Sequence, residues 1–298
     1  MNMTLCCAFC GIAEVDDIKL KDCNGCDLVK YCSDECQEDH RPKHEEECVK
    51  RAAELCDEIL FNQPESSCYG DCPICCLPMP IDPKKCNFMS CCSKKICDGC
   101  DVANKDREIE RRVQQKCAFC REALPKTMEE HIERLMKRIE KNDPVAMCRM
   151  GGVRYVEGDC NAAFEYWTRA VILGDIEAHY QLSSLYHKGE GVEKDEKREL
   201  HHLEQAAIRG HPAARHNLGC LEKRHGRMDR AVKHWIIAAN LGNDDSLTNV
   251  KNLYEAGYVS KEDFAAALRG YQAAIAEMKS PQREEAAAFL AERDRESI

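Results

Sequence analysis

The second half of the chain repeats one pattern of apolar and polar positions, which begins at residue 143. Apolar residues recur there at the spacing of one helical face, and the pattern restarts after 32 or 36 residues. Each unit opens at a residue that can cap a helix N-terminus: Asp143, Asp175, His211 and Asn243. The first helix keeps one position apolar in every unit: Met150, Leu182, Leu218 and Val250. Residues 143–278 are therefore predicted to form helical hairpins stacked into an all-α solenoid.

The second helix of the first three units is marked by large apolar residues and by a glycine at its end. Large apolar side chains recur in register at Trp167, Leu203 and Trp235. Glycines follow at Gly174, Gly210 and Gly242, where the left-handed conformation after a helix favours glycine. We expect the Trp and Leu side chains to form the core between stacked helices, not a binding site.

Two further helices are predicted outside the repeats. Residues 45–62 have helical character, and so do residues 127–141, where Thr127 and Glu130 form a capping box before an apolar stripe. Residues 279–298 are predicted to form a final charged helix or a tail.

The first 120 residues lack this periodicity and carry all but three of the 23 cysteines. Their metal-ligand types occur in eight close pairs: Cys7–Cys10, Cys23–Cys26, Cys32–Cys36, His44–Cys48, Cys72–Cys75, Cys91–Cys92, Cys97–Cys100 and Cys117–Cys120. A Cys-x2-Cys pair offers two thiolates to one metal from a tight turn, and a tetrahedral zinc site needs two pairs. The sequence therefore predicts four zinc ions in two compact modules.

Composition supports metal in place of a hydrophobic core. The chain is 44% hydrophobic, but aromatic residues make up only 6% of it. Few large side chains are available in the cysteine-rich part, and structural zinc contributes about 10–16 kcal/mol of apparent binding free energy in small modules. Zinc is thus expected to stabilise the fold of both modules.

Charge and cysteine usage restrict the class of protein. The formal net charge of −10 disfavours direct nucleic-acid binding, which depends on neutralising phosphates. The first residues do not resemble a secretory signal, and no apolar run approaches the roughly 20 residues of a membrane span. Clustered Cys and His in a reducing compartment indicate metal and not disulfides, so we expect a cytoplasmic or nuclear protein without a membrane span.

The spacing over residues 7–48 resembles that of the MYND zinc finger. The resemblance implies interleaved binding, with one zinc on Cys7, Cys10, Cys32 and Cys36 and the other on Cys23, Cys26, His44 and Cys48. His40 competes with His44 as a ligand, although only His44 has the x3 spacing to Cys48. Ser33 is a plausible N-cap for a helix that carries these histidines. MYND fingers bind proteins, often proline-containing peptides, but Arg41 stands here where family members usually have a groove Trp.

Residues 72–120 resemble a RING finger. The resemblance implies a cross-brace, with one zinc on Cys72, Cys75, Cys97 and Cys100 and the other on Cys91, Cys92, Cys117 and Cys120. Most RING fingers have Cys-x-His in the middle, whereas Lys94 occupies the usual His position here and cannot ligate zinc. Cys86 is an alternative ligand in combination with Cys91 or Cys92.

The RING resemblance implies a role in ubiquitin transfer without a catalytic nucleophile. RING fingers of ubiquitin ligases bind a ubiquitin-conjugating enzyme, and two positions matter for that contact. A Cys-x2-Cys turn of this kind is called a knuckle. The apolar residue inside the first knuckle, Cys72–Cys75, is Ile74, and the cation after the last ligand is Arg121. Ala118 departs from the usual Pro in the last knuckle.

The units from residue 143 onward resemble Sel-one-like repeats, relatives of the tetratricopeptide hairpin, which implies protein binding. The expected organisation is a MYND finger at 7–48, a helical linker at 49–71, a RING-like finger at 72–120, a connecting helix at 121–142, repeats at 143–278 and a C-terminal segment at 279–298. The leading hypothesis is a zinc-binding ubiquitin ligase whose repeats and MYND finger recruit substrate. The alternative is a non-catalytic adaptor or co-regulator scaffold.

Overall fold

The structure is a computed structural model and describes residues 6–10, 12, 14 and 19–296. The chain divides into two compact units, Met1–Asn62 and Gln63–Ile298.

The first unit contains a short sheet and one long helix. Strands β1 (Lys21–Asp22) and β2 (Lys30–Tyr31) pair antiparallel. Helix α1 (Asp34–Leu60) begins after Ser33, whose Oγ accepts a hydrogen bond from the Cys36 N–H at 3.2 Å. This single helix unites the two predicted helical stretches that begin at Ser33 and at residue 45. The buried hydrophobic cluster of this unit contains three cysteines among its five members: Cys7, Leu20, Cys23, Cys26 and Tyr31.

The second unit begins with a hairpin and a helix. Strands β3 (Cys86–Met89) and β4 (Lys94–Cys97) pair antiparallel, and helix α2 (Asp98–Glu110) follows directly. A single 3-10 turn, Pro83–Lys85, precedes β3. Here too the buried cluster is rich in cysteine: Cys72, Met79, Met89, Ile96, Cys97, Cys100 and Cys117. A small number of apolar side chains thus packs around two groups of thiols.

The rest of the second unit is helical. Its elements are α3 (Met128–Ile139), α4 (Pro144–Val156), α5 (Cys160–Ile172), α6 (Ile176–Lys188), α7 (Glu196–Ile208), α8 (Pro212–Arg224), α9 (Met228–Asn240), α10 (Asp244–Glu255), α11 (Lys261–Met278) and α12 (Pro281–Glu296). The predicted unit openings are confirmed, since a side chain at each one accepts a backbone N–H of the following helix: Asp143, Asp175, His211 and Asn243. The predicted glycine ends are confirmed as well, because all three have positive φ: Gly174, Gly210 and Gly242.

Two hairpins share a close contact between a glycine and a tryptophan. The Trp167 indole N–H donates to the Cys148 carbonyl at 3.0 Å, and a Cβ at Gly151 would lie 2.5 Å from the same nitrogen. Trp235 and Gly219 repeat this arrangement in α9 and α8. Both indoles are buried. Trp167 and Trp235, which occupy the same position of their repeats, therefore form part of the core, as the sequence predicted.

The helical repeats contact the cysteine-rich part of the same unit at several points. The Cys68 N–H donates to the Gly210 carbonyl at 3.0 Å, and the Tyr69 ring lies edge-on to His211. Phe88 packs against the core of the first hairpins, with the Arg149 guanidinium 4.9 Å from its ring centroid. The repeats therefore contact the segments that carry Cys68, Tyr69 and Phe88.

Candidate metal centres

Three cysteine pairs are held by the same local turn. In each, the N–H of the first cysteine donates to a carbonyl five residues later: Cys7 to Ile12 at 2.8 Å, Cys72 to Leu77 at 2.9 Å and Cys117 to Glu122 at 2.7 Å. In the last two pairs, the residue after the second cysteine has positive φ, 55° at Cys76 and 63° at Arg121. A turn of this kind places two sulfurs side by side, which explains why the x2 spacing suits a metal.

The first cluster joins the N-terminal turn to the start of α1. It comprises Cys7, Cys10, Cys32 and Cys36, whose sulfurs all lie within 4.8 Å of one another. The Cys32 sulfur is 3.5 Å from that of Cys10 and 3.6 Å from that of Cys36. Segments distant in sequence thus meet at one point.

The second cluster joins the β1–β2 loop to the middle of α1. It comprises Cys23, Cys26, His44 and Cys48. The Nε2 of His44 is 3.1 Å from the Cys26 sulfur, and the sulfurs of Cys23 and Cys48 are 3.7 Å apart. A Cβ at Gly25 would lie 2.9 Å from the Cys48 sulfur, so the turn can approach α1 this closely only with glycine.

His40 lies beside this cluster and is not part of it. Its Nδ1 is 3.0 Å from the Tyr31 hydroxyl, and its ring stacks on that of His44 at 5.8 Å. Between the two histidines that the sequence left in competition, the structure brings His44 to the thiols.

The third cluster lies between the first knuckle of the second unit and the start of α2. It comprises Cys72, Cys75, Cys97 and Cys100, and the sulfurs of Cys75 and Cys97 are 3.8 Å apart. Strand β4 delivers Cys97, and the first turn of α2 delivers Cys100. All but Cys75 are buried.

The fourth cluster contains the adjacent cysteines of the β3–β4 turn. It comprises Cys91, Cys92, Cys117 and Cys120, with the sulfurs of Cys92 and Cys117 3.9 Å apart. The alternative Cys86 is outside the cluster, since its thiol donates towards the Pro80 carbonyl at 3.6 Å. The structure therefore brings Cys91 and Cys92 together with the last pair, in the first of the two arrangements that the sequence allowed.

The donor atoms of the four clusters fit zinc. A tetrahedral site with Zn–S bonds of about 2.3 Å separates its sulfurs by roughly 3.8 Å. The sulfur pairs at 3.5, 3.7, 3.8 and 3.9 Å, one in each cluster, are close to that value. Thiolate and imidazole are also the ligands that zinc prefers in structural sites. The four clusters could therefore hold four zinc ions.

Local electrostatics favour the thiolate form at Cys72 and Cys7, the first cysteines of two of these turns. A hydrogen bond with the Cys97 thiol, helped by backbone N–H groups of the knuckle, lowers the pKa of Cys72 to about 4. Burial raises the pKa of Cys7, but backbone hydrogen bonds led by that of Cys10 outweigh burial and lower it to about 6. Because the thiolate is the form that ligates a metal, these turns prepare the sulfurs for binding.

The two residues implied in contacting a conjugating enzyme line the same groove. The groove has a volume of about 560 Å³, and its walls include Ile74, Ala118, Arg121, Asn104 and Arg107. Ile74 is 42% exposed there. An apolar side chain and a cation are thus available on one surface beside the third cluster.

The Arg121 guanidinium is fixed by two residues of α2 that the sequence analysis missed. Its Nη1 donates to Asn104 Oδ1 at 2.7 Å, and its Nη2 lies 2.6 Å from Glu108 Oε1. Glu108 is buried and also accepts the Lys116 N–H, whereas the Arg121 side chain is 55% exposed. The spacing of Asn104 and Glu108, four residues apart on one helix, was the only available signal.

Comparisons with known families identify two of the modules. Residues 7–48 match the MYND finger, and residues 144–175, 176–211 and 212–243 match the Sel1 repeat. The chain therefore contains a MYND finger and three Sel1 repeats. The RING-like character of residues 72–120 rests on their cysteine clusters.

Two of the solved structures that are similar to the chain are described as a Sel1 repeat protein and a protein with an SLR fold. A Sel1 repeat protein from Oxalobacter formigenes is 22% identical, with a TM-score of 0.44 over 60% of this chain and 72% of that protein. The protein c5321, a protective antigen of uropathogenic Escherichia coli with an SLR fold, is 23% identical, with a TM-score of 0.41 over 57% of this chain and 37% of its own. No curated protein matches the chain significantly.

Among the described residues, none of the helices combines the length and the apolar character needed to cross a bilayer.

Proposed function

We propose that the chain is a RING-type ubiquitin ligase, in which the sixteen Cys and His residues of the four clusters bind four zinc ions. Ile74 and Arg121 contact a ubiquitin-charged conjugating enzyme, and the MYND finger and repeats recruit the substrate. MYND fingers and Sel1 repeats are protein-interaction modules, which fits a binding role for the whole chain.

The observation that carries the proposal is the groove shared by Ile74 and Arg121. The two residues are 47 positions apart in sequence. Ile74 lies inside the first knuckle of the module, and Arg121 comes directly after the last one. Their convergence beside α2 provides an exposed apolar contact and a guanidinium whose direction is held by Glu108.

In this mechanism the chain supplies position and no nucleophile. The amine of a substrate lysine attacks the thioester carbonyl between ubiquitin and the conjugating enzyme, an amide bond forms, and the enzyme's thiol leaves. Ile74 packs on the conjugating enzyme, while Arg121 donates hydrogen bonds to the enzyme and to ubiquitin. Restricting the thioester to one reactive arrangement raises the rate by a proximity effect. Zinc supplies structural cross-links and no step of the transfer.

A non-catalytic adaptor is the second candidate, and the ion pair of Arg121 favours it. The guanidinium is already engaged by Asn104 and Glu108, so a partner must share or displace these contacts. In an adaptor, the same groove would contribute to stability of the module or bind another protein.

Ubiquitin discharge distinguishes the two candidates. We expect the zinc-loaded chain to accelerate discharge from at least one member of a panel of charged conjugating enzymes. Ile74→Ala and Arg121→Ala should each remove that acceleration because each removes a contact of the groove. Ile109→Ala and Lys126→Ala are matched controls outside the groove and should retain full activity.

Failure of the whole panel, with zinc content verified, would refute the ligase proposal. Retention of activity in both groove variants would refute the assignment of Ile74 and Arg121 to the contact. In the first case the adaptor becomes the remaining candidate, and partner capture by the full chain is its test.

A further inference from the structure

The C-terminal helix reaches the third metal cluster through one arginine. Helix α12 packs alongside α2, and Arg283 lies in its first turn. The Arg283 Nη1 donates to the Pro78 carbonyl at 2.7 Å, and its Nη2 donates to the Leu77 carbonyl at 3.2 Å. The same Nη2 lies 3.4 Å from the Cys75 sulfur. One guanidinium therefore contacts both the backbone that follows the Cys72–Cys75 knuckle and one thiol of that knuckle.

The approach of α12 is close at the second pair of this cluster as well. A Cβ at Gly99 would lie 3.1 Å from the Arg283 N and Cα atoms and 3.0 Å from its Cγ. Gly99 separates Asp98 from Cys100, so the absence of a side chain there leaves room for α12. Both cysteine pairs of the cluster thus lie against the first turn of the same helix.

The chemistry of the cluster explains why a cation would be placed there. Four thiolates around one Zn²⁺ leave a formal charge of about −2. A guanidinium that donates to a ligand sulfur reduces this charge and fixes the ligand's direction, as outer partners of metal ligands do. Arg283 is half-buried, which strengthens the attraction relative to that of an exposed side chain.

We propose that Arg283 is a positioning residue of the third metal centre, through which docking of α12 and retention of the metal stabilise each other. Because coupling between two binding events is reciprocal, the loaded cluster holds α12 on α2, and docked α12 slows metal release. The proposal needs zinc in the cluster but does not depend on ligase activity.

Zinc release from the intact chain tests this coupling. Zinc-loaded full-length protein is exposed to a chromogenic chelator, and the release of its ions is followed over time. Removing an outer partner of a ligand usually lowers metal affinity by roughly 10–100-fold, so we expect Arg283→Ala to lose one ion faster by about that factor, with the other three unchanged. Arg283→Lys keeps the positive charge but loses the two-pronged guanidinium, so its release rate should lie between those of the original chain and Arg283→Ala. Arg295→Ala, on the same helix, is the matched control and should release zinc as the original chain does.

A second variant separates metal coupling from a general loss of structure. Ala286 is buried one turn after Arg283, so Ala286→Glu should undock α12 while leaving the guanidinium intact. The same single ion should then be released faster, with the helical circular dichroism signal of the repeats retained. In the cobalt-substituted chain, the thiolate-to-cobalt absorption should change for Arg283→Ala but not for Arg295→Ala.

Release kinetics and cobalt absorption of Arg283→Ala that match those of the original chain would overturn the proposal. Equal acceleration of all four ions would overturn it too, because it would indicate general destabilisation and not a contact with one cluster.

Discussion

At the scale of single residues, burial changes the protonation of several side chains relative to their exposed forms. His179 and His202 illustrate this, since their Nδ1 atoms are 3.0 Å apart between α6 and α7. Burial is the main cause that lowers the pKa of each to about 4. The charged neighbours Arg209 for His179 and Arg198 for His202, with His201 beside both, act in the same direction. The native repeats thus hold both imidazoles neutral at pH 7.

This pair predicts a loss of stability in mild acid. In the unfolded chain a histidine takes up its proton near pH 6.5, whereas the native pair does so only near pH 4. The stabilising contribution of this pair is therefore complete above pH 6.5, and it is lost as the pH falls towards 4. Between pH 7 and pH 5 we expect the free energy of unfolding to drop by roughly 1–2 kcal/mol for each histidine.

Denaturant unfolding of the zinc-loaded chain at the two pH values measures this effect. His202→Gln should reduce the difference between them, because it removes one of the two protonation sites. Comparison of the original chain and the variant under identical conditions cancels any shared effect of acid on the metal clusters. An unchanged pH dependence in the variant would contradict the prediction.

At the scale of elements, local signals in the sequence correspond to local features of the structure. Capping residues such as Asp143 and His211 begin helices because their side chains satisfy free N–H groups, and this requires only neighbouring residues. The cysteine pairs were predictable for the same reason, since one turn positions two sulfurs. Gly151 shows the limit: its need for glycine comes from Trp167 on the next helix, and no local signal carries that contact.

The Gly151–Trp167 contact predicts the cost of an added methyl group. Gly151→Ala would put a Cβ 2.5 Å from the indole nitrogen and disturb its hydrogen bond to the Cys148 carbonyl. We expect a loss of about 1–3 kcal/mol in the free energy of unfolding, as for other overpacked cores. Gly152→Ala is the matched control, because no atom outside its own helix backbone and chain neighbours lies within 4 Å of its Cβ position.

The control variant should be neutral or stabilised by about 0.5–1 kcal/mol, since alanine favours a helix over glycine. Denaturant unfolding followed by circular dichroism measures both variants. Equal stability of Gly151→Ala and Gly152→Ala would contradict the packing that the structure describes.

At the scale of the whole molecule, the order of modules was predictable but their packing within the second unit was not. The cysteine spacing and the apolar repeat resemble those of a MYND finger and of Sel-one-like repeats, and the family comparisons confirm both resemblances. Neither pattern indicates that Cys68, Tyr69 and Phe88 contact the repeats, or that α12 reaches the third cluster. The hydrogen bond from Arg283 to Pro78 joins residues 205 positions apart, and a periodic pattern carries no information on such a contact.

The assignment of four structural zinc ions is tested by native mass spectrometry of the full-length chain. We expect four zinc ions per chain, one for each of the four clusters. Cys92→Ser should remove one ion, because Cys92 belongs to the fourth cluster, while Cys86→Ser should remove none. A chain that holds only two zinc ions, or one that loses an ion on Cys86→Ser but not on Cys92→Ser, would contradict this assignment.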